Sequence, residues 1–182
     1  FLMQLTETKI AGCYVIQPNI FTDVRGRFIK TFHQEIFIAN NLNLDWQEEY
    51  YSVSHKNVIR GMHFQLPPHD HEKLVYCTTG AVLDVVVDLR KFSPTFKQHI
   101  LVNLSDEQAN MLYIPKGCAH GFKSLQDGTV MMYKVATMYN ASADCGIAWD
   151  SCGINWELES EAVISRRDSE FVMLDNFITP FQ

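Results

Sequence analysis

The chain has 182 residues, 47% of them hydrophobic and 20% charged, with 15 basic against 21 acidic side chains and a formal net charge of −6. A chain of this length buries roughly 70% of its unfolded surface and needs no disulfide or metal staple, and the composition excludes a disordered or fibrous class. The acidic balance argues against a nucleic-acid polymer as partner but leaves room for a local cationic pocket.

Period-two and turn signals predict strands at residues 14–16, 28–32, 75–78, 82–88, 99–104, 111–114 and 130–136. Residues 35–41 read as one short helix, and residues 160–174 as either helical or irregular. Breakers separate the strands at Arg25-Gly26, Pro67-Pro68, Thr79-Gly80, Ser93-Pro94, Pro115-Lys116-Gly117 and Asp127-Gly128. Many short strands at this spacing predict an all-β sandwich or barrel with a few short peripheral helices. Without repeats or linker-like tracts, residues 1–182 read as a single domain.

The five cysteines, Cys13, Cys77, Cys118, Cys145 and Cys152, are odd in number and form no C-x-x-C pair, so a reducing cytoplasm is expected. No apolar run reaches the roughly 20 residues of a membrane span. The opening Phe1-Leu2-Met3-Gln4 lacks the basic and apolar regions of a secretory leader, and a native start near Met3 is expected, with a short extraneous stretch before it.

Within residues 82–88, alternation puts Asp84, Val86 and Asp88 on one face and Leu83, Val85 and Val87 on the other. The carboxylate face is expected to be solvated; if it lines a barrel mouth instead, Asp84 becomes a support for the site.

Chemistry concentrates in two clusters. The first is Arg60-Gly61-Met62-His63-Phe64-Gln65 with Lys73 beyond it, where His63 is suited to accept a proton near neutrality. The second is Ile114-Pro115-Lys116-Gly117-Cys118-Ala119-His120-Gly121-Phe122, whose P-x-G-x-x-H resembles the second motif of the cupin superfamily, in which a turn delivers a histidine inward. Metal-binding cupins place a glutamate seven residues before a turn glycine; here the glycine is Gly80 and the residue is Lys73. A cation at that position opposes a divalent ion, and His69 and His71 beside Pro67-Pro68 read as solvated loop histidines, so no metal is expected. A base and a cation without metal suit proton abstraction next to a carbonyl. His63 would take the proton, Lys73 would steady the enolate, and Tyr133 or Tyr139 would return a proton, unless these tyrosines serve only strand packing.

Taken in order, Phe21-Thr22-Asp23-Val24-Arg25-Gly26-Arg27-Phe28, Val58-Ile59-Arg60-Gly61-Met62-His63-Phe64-Gln65, Lys73-Leu74-Val75, Asp84 to Arg90, Ser93-Pro94-Thr95, Ile114 to Phe122 and Tyr133-Lys134 resemble the dTDP-4-dehydrorhamnose 3,5-epimerase family. The resemblance implies a homodimeric double-stranded β-helix, a cupin-like jelly roll, with no cofactor and no metal. It implies action on a nucleotide-linked 4-keto-6-deoxyhexose in deoxysugar supply for surface polysaccharide. By the same resemblance His63 is the general base and Asp168 its carboxylate partner, while Lys73 stabilises the enolate and Tyr133 is the acid on the opposite face. Arg60, His120 and Arg167 hold the diphosphate and sugar, Tyr139 stacks on the base, and Arg25 and Phe28 reach a neighbouring subunit's site. Asp144 stands where the family has Glu.

Other departures fall at nucleotide-reading positions. Phe28-Ile29-Lys30 replaces Phe-x-Glu and Glu48-Glu49-Tyr50-Tyr51-Ser52 replaces Gln-Asp-Asn-His-Ser there, while Trp156-Glu157 in place of Trp-Pro is only a loop difference. Changes at Lys30, Glu48 and Tyr50 alter hydrogen-bond complementarity to the base and leave thymidine open. Single-site epimerisation of another 4-keto sugar nucleotide and a non-catalytic sugar-binding cupin are the alternatives.

Overall fold

The computed structural model describes residues 3–182; the stretch expected to be extraneous lies outside the described residues. In chain order the elements are β1 (Met3–Glu7), β2 (Tyr14–Pro18), β3 (Ile20–Asp23), β4 (Gly26–Ile29), α1 (Gln34–Ala39), β5 (Glu48–Ser54), β6 (Ile59–Gln65) and β7 (Lys73–Thr79). There follow β8 (Ala81–Asp88), β9 (His99–Ser105), β10 (Met111–Ile114), β11 (Cys118–Ser124), β12 (Thr129–Val135), β13 (Asp144–Gly146), α2 (Arg166–Ser169) and a 3₁₀ turn at Leu174–Asn176.

A six-stranded sheet in the order β1-β2-β10-β7-β12-β5 faces a five-stranded sheet in the order β13-β6-β11-β8-β9, and β3-β4 form a separate hairpin. This is the expected all-β roll. Val75, Cys77, Leu112 and Met131 from the larger sheet meet Val82, Val86, Ile100 and Phe122 from the smaller one in the space between them. Each such aliphatic side chain contributes about 1.5–3 kcal/mol relative to remaining exposed.

Both outer faces are also covered, which explains the near-continuous burial of β8 and β11. On the outside of the five-stranded sheet, Met62, Val85, Val87 and Ala119 pack under Ile147, Trp156, Leu174 and Phe181 from the C-terminal segment. On the outside of the six-stranded sheet, Ile16, Leu74, Met111 and Tyr113 pack under Phe37 of α1. A six-residue helix has little stability of its own, so this contact is what holds it.

The double cover corrects the reading of β8. Asp84 and Asp88 are fully buried, on the interior side of the strand. Each has a partner set in place of water. His120 Nε2 lies 3.0 and 2.9 Å from the two Asp84 oxygens. Asp88 accepts from the Arg90 backbone and guanidinium and from the hydroxyls of Ser93 and Thr95. Burial acts to raise the Asp88 pKa, but these hydrogen bonds outweigh it and hold the carboxyl below its usual range.

Three element predictions also shift. The strand expected over residues 28–32 ends at Ile29, where the chain turns irregular before α1. The short helix spans Gln34–Ala39 in place of residues 35–41. Residues 160–174 are mostly irregular, because this segment covers the outer sheet face side chain by side chain, with the single turn of α2 inside it and the 3₁₀ turn beginning at its end.

Candidate active site

Six strands from both sheets, β5, β6, β7, β11, β12 and β13, wall a cavity of about 410 Å³. Alternation along β5 turns Glu48, Tyr50 and Ser52 into it. From β6 come Arg60, His63 and Gln65, from β7 Lys73, from β11 His120, and from β12 Tyr133. Tyr139, Asp144 and Arg167 complete its rim.

Close approach of β6 to β11 brings His63 directly opposite His120. It depends on glycine. Gly61 has φ +142°, and a Cβ there would stand 2.6 Å from the Gly121 Cα.

His63 Nε2 lies 2.8 Å from Asp168 Oδ1, across 105 positions of sequence. Asp168 sits in the first turn of α2, where its backbone N–H is capped by Ser165 Oγ at 3.1 Å. Its second oxygen accepts from Gly61 N at 3.0 Å. Burial acts to raise the Asp168 pKa, but the hydrogen bonds from His63, Gly61 and Ser165 prevail and hold it below the usual carboxylate range. An ionised carboxylate only accepts, so Nε2 carries the imidazole proton and Nδ1 is the basic nitrogen.

Lys73 is buried on β7, and its Nζ donates to the His63 carbonyl at 3.3 Å. Desolvation pushes its pKa down to about 8, against the opposing pull of Asp144 and Asp84. Tyr133 lies on the sheet facing His63. Its hydroxyl is 3.2 Å from Ser52 Oγ, its ring is stacked on Tyr50 at 4.8 Å and 20°, and burial holds its phenol above the ordinary range. A base thus occupies one wall and a protonated phenol the other.

Around them, Arg60 is aimed by hydrogen bonds to Ser54 Oγ and the Val53 carbonyl. Arg167 donates to Asp144 Oδ2 at 2.6 Å, and Glu48 Oε1 accepts from Tyr139 N at 2.9 Å, which ties the exposed Tyr139 to the rim. Among the described residues, no three His, Cys, Asp or Glu side chains gather as a metal ion would require.

The family profile described as dTDP-4-dehydrorhamnose 3,5-epimerase matches residues 7–176. The chain belongs to this family. It is 38% identical over 182 residues to the dTDP-4-dehydrorhamnose 3,5-epimerase of Shigella flexneri, covering 97% of this chain and 100% of that one. Among solved structures it resembles the dTDP-6-deoxy-D-glucose-3,5-epimerase of Legionella pneumophila in complex with dTDP-4-keto-L-rhamnose. There the TM-score is 0.93 and the identity 32%, with 97% of this chain and 95% of that chain covered. It also resembles a 3'-monoepimerase from Streptomyces bikiniensis in complex with dTDP-quinovose, with a TM-score of 0.86, 30% identity, and coverage of 91% and 85%.

Within this epimerase-family roll, three of the residues expected at the site stand apart from the cavity. Arg25 and Phe28 lie on the exposed β3-β4 hairpin and Lys30 just beyond it, and none of them lines the cavity. Arg25 pairs locally with Asp23. His71, read as a solvated loop histidine, instead lines the cavity with Nδ1 2.7 Å from Thr137 Oγ1. Burial, with Lys73 and Lys116 nearby, pushes its pKa down to about 3. His69 is tied in as well, its carbonyl accepting from Gln65 and Thr137 and its Nε2 lying 3.2 Å from Asn140 Nδ2. Gln65 just before this loop and Thr137 from 68 positions away clasp it, and the Pro67-Pro68 punctuation does not reveal the second.

Ser52 and Gln65 were given no role from sequence. Period two marks both, since Ser52 follows Glu48 and Tyr50 on the inward face of β5 and Gln65 follows His63 on β6.

The Lys73 environment sets a pH limit. Activity is expected to fall as pH rises through about 8, where the ammonium loses its charge. Stability moves the other way. From about pH 8 to about 10.4 the unfolded chain holds a proton on this lysine that the folded chain has released, so folding gains as pH rises. A kcat/KM profile from pH 6 to 10 checks the first limb, and Lys73→Arg, which stays charged, is expected to remove it.

Proposed function

We propose that the protein is an epimerase that inverts C3 and C5 of a dTDP-linked 4-keto-6-deoxyhexose by proton abstraction and return, using its own side chains. The observation that carries this reading is the His63–Asp168 dyad on one cavity wall with the protonated Tyr133 and the cationic Lys73 on the wall opposite. The C4 ketone acidifies both neighbouring carbons. His63 takes the proton, Lys73 stabilises the enolate oxygen, and Tyr133 returns a proton from the far face, which produces inversion.

Arg60, His120 and Arg167 hold the diphosphate and sugar, since guanidinium forks match phosphate oxygens. Tyr139 stacks on the base, with Glu48, Tyr50 and Asp144 beside the nucleotide. The exposed hairpin supports a homodimer in which Arg25, Phe28 and Lys30 serve the partner's cavity, because Phe28 is 57% exposed on it. The protein is read as one cytoplasmic domain over residues 1–182, and no helix among the described residues is long and apolar enough to cross a membrane.

Incubation with dTDP-4-keto-6-deoxyglucose in D₂O tests the reading. Deuterium at both C3 and C5 is expected, and none at either carbon overturns it. A second reading, inversion at one carbon, is favoured by Tyr50, which crowds the proposed acid by stacking on it; label at a single carbon selects it. A thermal-shift panel of dTDP, UDP, CDP and GDP identifies the nucleotide, with the largest rise expected for dTDP.

A further inference from the structure

The proton-transfer scheme leaves unused one side chain on which the elements around the dyad converge, Phe171. Its place follows from the backbone. β13 pairs with β6 in a register that sets Gly146 opposite His63. After α2 the chain returns along β13, where Val172 bridges Ile147 and Ala148 N donates to the Val172 carbonyl at 2.8 Å. Phe171 is thereby laid over Gly146. A Cβ at 146 would stand 2.4 and 2.6 Å from Cε2 and Cζ of its ring, so the bare glycine is the notch that admits it.

From that notch the ring meets two groups of the site. It makes an edge contact with the His63 imidazole, at 5.7 Å between centroids and 76° between planes. The Arg167 guanidinium lies over it, 5.3 Å from the ring centroid. Arg167 is four residues earlier and is otherwise held by the carboxylate of Asp144. The single Asp168 hydrogen bond to Nε2 leaves the His63 ring free to turn about that axis, and a contact against the ring itself removes this freedom and aims Nδ1.

We infer that Phe171 is a positioning residue that couples the general base to the anion-binding arginine, one ring in the Gly146 notch orienting both His63 and Arg167. The inference rests on the epimerase reading above and adds to it a residue that touches neither the reacting carbon nor its proton.

Phe171→Leu keeps most of the volume and removes the aromatic face. With dTDP-4-keto-6-deoxyglucose, kcat is expected to fall about fivefold as the imidazole loses its orienting contact. The dTDP dissociation constant, measured by calorimetry, is expected to rise about threefold as Arg167 loses its cation–π support. The effect on dTDP is expected to vanish in an Arg167→Ala background, because the two residues act as one unit. Phe171→Met, whose flexible unbranched side chain fills the space without an aromatic face, is expected to give the same split and serves if the leucine variant folds poorly.

A residue that only fills space would lower the melting temperature while leaving kcat and dTDP affinity unchanged, and that result overturns the inference, as does a full additive loss on top of Arg167→Ala. If the wild type exchanges no hydrogen, the epimerase reading fails on its own. The ¹⁵N resonances of the His63 imidazole then decide the inference: a shift in Phe171→Leu supports it and unchanged resonances overturn it.

Discussion

Replacing His63 with alanine is expected to lower deuterium incorporation into the hexose by on the order of 10³-fold or more, with the fold retained. The side chain is only partly buried and its chief partner is Asp168, so a melting curve within a few degrees of wild type is the accompanying expectation. Asp168→Asn tests the other half of the dyad and is expected to cost on the order of 10³–10⁴-fold. Gly61 N still requires an acceptor, so the amide oxygen turns toward it and presents the NH₂ to His63. An NH₂ facing Nε2 forces the imidazole proton onto Nδ1, the nitrogen that must be empty to act as base. Mass spectrometry of product formed in D₂O reads both variants, and wild-type incorporation by either would remove the dyad from the mechanism.

Tyr133→Phe is expected to separate two events that the wild type performs together. His63 still removes the proton and Lys73 still steadies the enolate, so exchange continues within about tenfold of wild type. The proposed acid is then gone from the far wall, and His63 returns the proton to the face from which it came. Inverted product is expected to fall by about 10²–10³-fold, the usual weight of a positioned general acid. The change deletes one hydroxyl whose partner is Ser52 at 3.2 Å, so the stacked Tyr50 and the surrounding β12 stay in place. Proton NMR of the recovered sugar nucleotide distinguishes labelled but uninverted substrate from inverted product. Inversion at the wild-type rate would remove Tyr133 from the acid's role.

Seven of the strands were legible, as where alternation over residues 82–88, 99–104 and 111–114 survives in β8, β9 and β10, whereas β5, β6 and β11, which wall the cavity, were not among the predicted runs. Which face of β8 meets water was not legible. Alternation separates two faces but does not say that the C-terminal segment covers one and the opposite sheet the other, so Asp84 and Asp88 read as solvated when both are interior. Three of the proposed catalytic residues, His63, Lys73 and Tyr133, were visible through ordered motifs, and Asp168 through the resemblance those motifs carry. Their mutual placement was not, since His63 meets Asp168 only after β6 and α2 are packed together. His71 was missed for the same reason: its hydrogen-bond partner Thr137 is 66 positions away, and the Pro67-Pro68 punctuation does not announce that contact. Phe171 carries no motif at all, and its role arises from a register that sets Gly146 beside His63.

The far separation of the dyad also has a consequence during synthesis. A ribosome that has made the first three-quarters of this chain has already produced His63, Lys73 and Tyr133, a base, a cation and a phenol that could meet within a nascent roll. The carboxylate proposed to orient the base follows 105 positions after His63. It reaches the site only when Val172, Leu174 and Phe181 close over the outer sheet face. A chain that lacks the segment after β13 keeps the proposed base, cation and acid but not the carboxylate proposed to orient the base, and is expected to lose deuterium incorporation as Asp168→Asn does.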